Sequence, residues 1–240
     1  MKRLPNLSTS RPIYTIVIPT TNETVSFSPY STEQEKAILI ASQEDGYSSL
    51  ISTLQNLLSE CCTTEIKTVV DFTTLITNIK AKSHGGQHSF IIKECECGYK
   101  GLKDKGIEVS VNDITEQLKI KNPDKLKDTY KITDKISLRL CPTKIDFLTN
   151  IKFDDTPENA KFQIYSMIAN SVDFVVNDKD IIKDFTTEDL IENIIKHLTP
   201  IQIQEINEII GNLISIYFEV KYKCVGCGEE KIKEISDFLL

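Results

Sequence analysis

Histidine is scarce in this chain: His84, His88 and His197 are the three in 240 residues. None stands in a setting that acid–base or nucleophilic catalysis needs, and no His-Glu-x-x-His helix occurs. A phosphate-cradling glycine loop and a Gly-x-Ser-x-Gly elbow are missing too, so nucleotide hydrolysis and acyl transfer have no sequence anchor. No apolar run approaches the roughly 20 residues of a membrane helix. Positive charge is not in excess: 28 Lys and Arg stand against 35 Asp and Glu, a net charge of −7. A general nucleic-acid binder rests on phosphate neutralisation, which this balance disfavours. The opening residues, Met1-Lys2-Arg3-Leu4-Pro5-Asn6, lack the apolar stretch of a signal peptide. These absences predict a chain that is not an enzyme, takes no small-molecule substrate and engages no membrane.

What is present is ordinary globular composition, 40% apolar and 26% charged, with ample length for a core. The seven cysteines are an odd number without disulfide-scaffold spacing, which suits a reducing cytosol with some thiols on metal. Four of them form two pairs. Cys95-Glu96-Cys97-Gly98 follows the strand-like run Ser89–Glu94, and Cys224-Val225-Gly226-Cys227-Gly228 follows Tyr217–Lys223. A strand, a tight turn bearing two thiols, then glycine is the knuckle of a zinc ribbon. Tetrahedral zinc takes four ligands, and two thiols on one turn supply half of them without strain. Glycine after the second thiol permits positive φ. The expectation is one structural zinc held by Cys95, Cys97, Cys224 and Cys227, in a ribbon assembled from about 88–111 and 215–236. Residues 98–223 intervene, so such a metal would staple the middle of the chain to its end, holding a C-terminal helical layer against central strands. Four thiolates would close the coordination sphere and leave no catalytic position.

The alternative is a zinc-ribbon nucleic-acid binder. Lys93, Lys100, Lys103, Lys105, Lys221, Lys223, Lys231 and Lys233 crowd the knuckles, although Glu94, Glu96, Glu229 and Glu230 interleave them and make a solvated face the plainer reading. His84 and His88 lie four apart, but Gly85 and Gly86 spoil helical geometry between them, so they read as turn residues. Asp178, Asp180 and Asp184 lack the EF-hand order and its glycine.

Along the chain, residues 1–11 read as a polar arm and 12–240 as a single domain. Ile13–Ile18 and Thr24–Phe27 form a hairpin around Pro19–Glu23. Ser31-Thr32-Glu33-Gln34-Glu35 starts a capped helix that ends near Asp45-Gly46. A second helix spans Tyr47–Cys62. A third spans about Asp71–Lys82, with Phe72, Leu75, Ile76 and Ile79 as its stripe. Gly106–Val111 returns from the first knuckle, 112–131 is lysine- and aspartate-rich and mostly exposed, and Asp134–Pro142 alternates as a strand with Cys141 on a face. Pro157 to about Val172 is helical with Phe162, Tyr165, Ile168 and Ala169 on one side; Phe174–Val176 is apolar before the turn at Asn177–Asp180. Thr186–Asp189 caps a helix through Leu190, Ile191, Ile194 and Ile195, and Thr199-Pro200 begins the last one. Ile232, Ile235, Phe238 and Leu239 form an apolar tail expected to pack back. The fold class is α+β: an N-terminal β-hairpin and helices, a central β-segment and C-terminal helices, closed by the four-cysteine site.

In this order the chain resembles the T4-type phage baseplate hub subunit family. Tyr14-Thr15-Ile16-Val17-Ile18-Pro19, then Phe27-Ser28-Pro29-Tyr30, then Glu33-Gln34-Glu35-Lys36-Ala37-Ile38-Leu39-Ile40-Ala41-Ser42 are similar to the family's opening: a strand ending in Leu-Pro, a second strand, and a helix start of the form RPF-x-x-x-E-E-K-x-L-L-x-A. Ser28 and Tyr30 depart from the Arg and Phe of that pattern. Lys80-Ala81-Lys82-Ser83-His84-Gly85 is similar to the family's RAKSVGE stretch, as is the cysteine-bearing strand after it. Tyr222-Lys223-Cys224-Val225-Gly226-Cys227-Gly228 and Asp237-Phe238-Leu239 match its C-terminal pattern. The resemblance implies a structural or assembly protein of the baseplate hub of a contractile tail, found in the virion or in the host cytoplasm during assembly. Its implied partners are other hub or tube-initiating proteins.

Overall fold

The computed structural model describes residues 11–43, 47–86, 88–101, 105–111, 114–149 and 156–236. The arm at 1–10, the helix end at Asp45-Gly46, Lys103 and the tail residues Phe238 and Leu239 lie outside them. Arg11 is not free: its guanidinium donates to the Pro29 carbonyl at 3.4 Å and to Gln34 at 3.3 Å.

β1 (Tyr14–Val17) and β2 (Thr24–Phe27) pair antiparallel, with Tyr14 opposite Phe27. Three helices follow, α1 (Thr32–Gln43), α2 (Tyr47–Cys61) and α3 (Val69–Ser83). The box that opens α1 is reciprocal: the Gln34 backbone N–H donates to the Ser31 hydroxyl, and the Ser31 N–H donates to the Gln34 side-chain oxygen at 2.7 Å. α3 is the central rod of this half. Phe72, Leu75 and Ile79 are fully buried, against Ile51, Leu54 and Leu58 of α2 and Val25 and Phe27 of β2. Each such side chain contributes about 1.5–3 kcal/mol on burial. The apolar stripe understates this helix, because Asp71, Thr73, Thr74 and Asn78 are buried as well. Thr73, Thr74 and Asn78 satisfy their polar groups by donating to the carbonyls of Val69, Val70 and Thr74, one turn back. Asp71, in the first turn, accepts from the Thr68 hydroxyl at 2.7 Å and from the Thr20 N–H at 3.1 Å. A carboxylate there also meets the positive end of the helix dipole, so one side chain locks the β1–β2 turn onto α3.

The second core lies beyond the thiol-bearing segment. β6 (Asp128–Lys131), β7 (Ile136–Leu140), β8 (Val172–Asn177) and β9 (Asp180–Ile182) make an antiparallel sheet in that order. α6 (Pro157–Asn170), α7 (Thr187–Asn193) and α8 (Pro200–Gly211) cover it, around Leu138, Leu140, Ile168, Val172, Ile195 and Ile206. The Thr186/Asp189 and Thr199/Gln202 pairs are both full capping boxes. Phe162 was expected on the covered side of α6 and is 45% exposed instead; Ile168 and Ala169 carry the contact. A link joins the two cores. Val69 N–H donates to the Thr143 carbonyl and Ile145 N–H to that of Lys67, while Leu148 of the short α5 (Asp146–Thr149) is buried among the residues of the first core.

Between them, β3 (His88–Ile92) and β4 (Ile107–Val111) form one hairpin, and β10 (Ser215–Lys223) and β11 (Glu230–Ile235) a second. The stretch 112–131 holds more structure than its polar composition suggests. After the single turn α4 (Ile114–Gln117), β5 (Leu118–Lys121) joins the second hairpin as its third strand, with Leu118 opposite Phe218. Phe90 of β3 meets Phe218 of β10 at 5.4 Å between ring centroids, beside Ala81 of α3. Ile235 packs there as well, but Ile232, also expected to pack back, is 59% exposed on the outer face of the sheet.

Candidate metal centre

Each hairpin delivers its thiols by the same local device. In the first, Cys95 N–H donates to the Tyr99 carbonyl at 2.8 Å and Gly98 N–H donates back to the Cys95 carbonyl at 2.8 Å. In the second, Cys224 N–H donates to the Glu229 carbonyl at 2.9 Å and Gly228 N–H to the Cys224 carbonyl at 2.7 Å. The closing glycines sit at φ 85° and 75°, the left-handed region that glycine enters without a Cβ clash. The knuckles touch each other: a Cβ on Gly226 would lie 2.7 Å from Tyr99 Cβ and Cγ, so bare glycine lets the second turn seat against the first.

The four sulfurs of Cys95, Cys97, Cys224 and Cys227 all lie within 4.8 Å of one another, close enough to bind a metal ion. Cys97 and Cys224, from opposite hairpins, are 3.7 Å apart. Four thiolates about 2.3 Å from a tetrahedral zinc stand about 3.8 Å from one another, so the spacing and the all-sulfur donor set both fit that ion. Cys95 and Cys224 are buried among Ile92, Ile107, Tyr99 and Tyr222; Cys97 and Cys227 face solvent. Among the described residues this is the one cluster of three or more metal-capable side chains.

The surroundings favour charge on Cys95. The Cys97 amide and then the Tyr222 hydroxyl donate to Cys95 and pull its thiol down to about 6. The Tyr99 amide acts the same way on Cys97, but Cys95, burial, Cys224 and Cys227 together outweigh it and raise Cys97 to about 12. Two thiolates so close resist coexistence, and a divalent cation removes that conflict by deprotonating all its thiol ligands. Burial and the bond to Cys95 push Tyr222 to about 12, which keeps it a donor. Sequence reasoning gave Tyr222, Tyr99 and Gly226 no role at the site, although Tyr222 and Gly226 stand in the quoted C-terminal run. Tyr222 was within reach, since it lies two residues before Cys224 on the same strand face.

The other sequence candidates are elsewhere. His84 closes α3, 2.6 Å from the Tyr30 hydroxyl and 3.3 Å from Glu35, away from the thiols. The backbone of His88 opens β3 opposite Val111. Asp178 and Lys179 form the two-residue turn between β8 and β9. Cys141 is half-buried beyond β7, its thiol raised by burial. Lysines beside the knuckles pair with the interleaved glutamates: Lys231 reaches Glu229 at 2.8 Å and Glu96 at 3.5 Å, and Lys100 reaches Glu94 at 3.9 Å. The thiols join hairpin to hairpin rather than a helical layer to strands, because α7 and α8 have a core of their own.

Fold and site define an α+β protein whose two distant hairpins meet at a metal-capable thiol cluster. The chain belongs to the family of T4 bacteriophage base plate proteins, whose family model matches residues 11–240. That membership suggests a structural role in a phage baseplate. No curated protein and no solved structure matches the chain. Among the described residues no helix is long and apolar enough to cross a membrane.

Proposed function

We propose that this protein is a structural or assembly component of the baseplate hub of a contractile phage tail. It is non-enzymatic, acts as one unit over residues 12–240, and uses a zinc ion on Cys95, Cys97, Cys224 and Cys227 to stabilise its fold. The observation that carries the reading is the span of the family match, which takes in both hairpins and both cores. Zinc in this setting supplies folding free energy, because the unfolded chain has no preformed site. Its partners are other hub or tube-initiating proteins, met in the host cytoplasm during assembly and in the tail of the virion. The residues hold the hairpins together; none of them moves a proton or a group.

Affinity capture of the tagged chain from infected cells, followed by cross-linking, tests this. Cross-links to hub or tube-initiating proteins are expected. Their absence from every assembly intermediate would remove the hub role. Turnover of a nucleotide, peptide or glycan by the isolated chain, lost on one side-chain change, would overturn the non-enzymatic one.

A further inference from the structure

The four thiols are unequal to a reagent arriving from solvent. Cys97 and Cys227 are exposed, while Cys95 and Cys224 are buried. Exposed Cys97 has buried Cys224 of the other hairpin 3.7 Å from its sulfur, a distance one side-chain adjustment can close. A bond between these two would span the same loop the metal closes, whereas a bond within either knuckle would leave the hairpins unconnected. The hairpins also share packed surfaces, Phe90 on Phe218 and Tyr99 against Gly226, which hold the sulfurs near each other once the metal has gone.

We infer that peroxide converts the metal staple into a covalent one: Cys97 is oxidised first, Cys224 resolves it, and the resulting Cys97–Cys224 disulfide keeps the hairpins joined while the metal leaves. This rests on the four-thiolate zinc reading. In the first step the Cys97 sulfur attacks hydrogen peroxide, the O–O bond breaks, an S–O bond forms and hydroxide departs. In the second the Cys224 sulfur attacks the sulfenic sulfur, the S–S bond forms and a second hydroxide departs. The two sulfurs together give up two electrons, peroxide accepts them, and the hydroxides take up two protons to become water. Zinc, left with Cys95 and Cys227, is released. The device suits a protein made in a reducing cell and later carried outside it.

The test treats the full-length zinc-loaded chain with one equivalent of hydrogen peroxide. Released zinc is followed with a chromophoric chelator, disulfides are mapped on non-reduced peptides, and hydrogen exchange is read over 215–235. One zinc released per Cys97–Cys224 bond is expected, with protection of β10 and β11 retained. Cys97→Ser should abolish that bond, and Cys227→Ser should leave it. A Cys95–Cys97 or Cys224–Cys227 bond, or loss of protection in β10 and β11 on oxidation, overturns the inference. A chain that never holds zinc but forms this bond refutes only the zinc reading, and a zinc-bound chain that bonds within one knuckle refutes only this one.

Discussion

The first knuckle runs from Cys95 to Tyr99 and the second from Cys224 to Glu229, one residue longer, yet the same two backbone hydrogen bonds close both. In each, the first thiol is buried, the second is exposed, and a glycine of positive φ follows. Their settings differ. The first sits on a two-stranded hairpin with a long return to Ile107. The second returns at once into β11 and is braced by β5 on the far side of β10. Equivalence of the two thiol pairs therefore lies in how the turn is closed and which sulfur is packed, rather than in residue count. A Cys-x-Cys spacing is a shortened form of the same knuckle.

The largest effect should come from removing the link between them. Cys97 and Cys224 are 127 positions apart, and by analogy with a disulfide closing so long a loop contributes about 4–5 kcal/mol. Total stability is typically only about 5–15 kcal/mol. Cys97→Ser and Cys227→Ser each remove one exposed thiol from one knuckle, so each weakens the link by one of its four sulfurs, with the loop-closure figure as the upper bound, and the two should match in effect. Hydrogen exchange should show 215–235 loosening first, with Thr32–Ser83 and the covering helices α6 to α8 retained. Equal loss everywhere would mean that the chain unfolds as one cooperative unit and the staple is a fiction; a large difference between the two variants would break the equivalence of the knuckles.

Next comes the contact between turns. Gly226→Ala forces a methyl into the base of the Tyr99 side chain, and overpacking of this kind costs about 1–3 kcal/mol. Chemical denaturation of the zinc-loaded chain measures it. A neutral result would mean that the knuckles do not seat on each other.

Tyr222→Phe keeps the ring and deletes the hydroxyl that donates to Cys95. Loss of such an outer partner lowers metal affinity about 10–100-fold. The hydroxyl favours the thiolate, so without it Cys95 protonates at a higher pH. A chelator competition run as a pH series should find the variant releasing zinc at higher pH than the parent chain.

The smallest effect is the most specific to the comparison. A Cβ at Gly98 or at Gly228 would meet nothing within 4 Å, so alanine there incurs only left-handed backbone strain, about 1 kcal/mol at each site. Equal shifts in thermal midpoint are expected. Unequal shifts would show that the short turn is the more strained of the two.

Much of this was legible in the sequence because it is local. The caps at Ser31 and Thr186 are read from residues three apart, the last helix start from Thr199-Pro200, and the two thiol pairs from residues two or three apart. What escaped is non-local. Leu118-Lys119-Ile120-Lys121 is a short lysine-rich run whose partner Phe218 lies far along the chain, so nothing nearby marks it as a strand. The buried threonines of α3 read as a polar face because their bonds back to the helix cannot be seen in a hydrophobic period. Phe162 is apolar on a helix face that the described residues leave half-open. The partition of the C-terminal half also escaped: periodicity locates α7 and α8, but their packing against β7 and β8 decides that the thiols do not hold them.

X-ray absorption at the zinc edge on protein purified without chelator tests the central claim most directly. One zinc per chain, with four sulfur neighbours at about 2.3 Å that fall to three in Cys227→Ser, is the expected result. A folded chain without zinc, or a first shell containing nitrogen or oxygen in the parent protein, would contradict a single metal held jointly by the two knuckles.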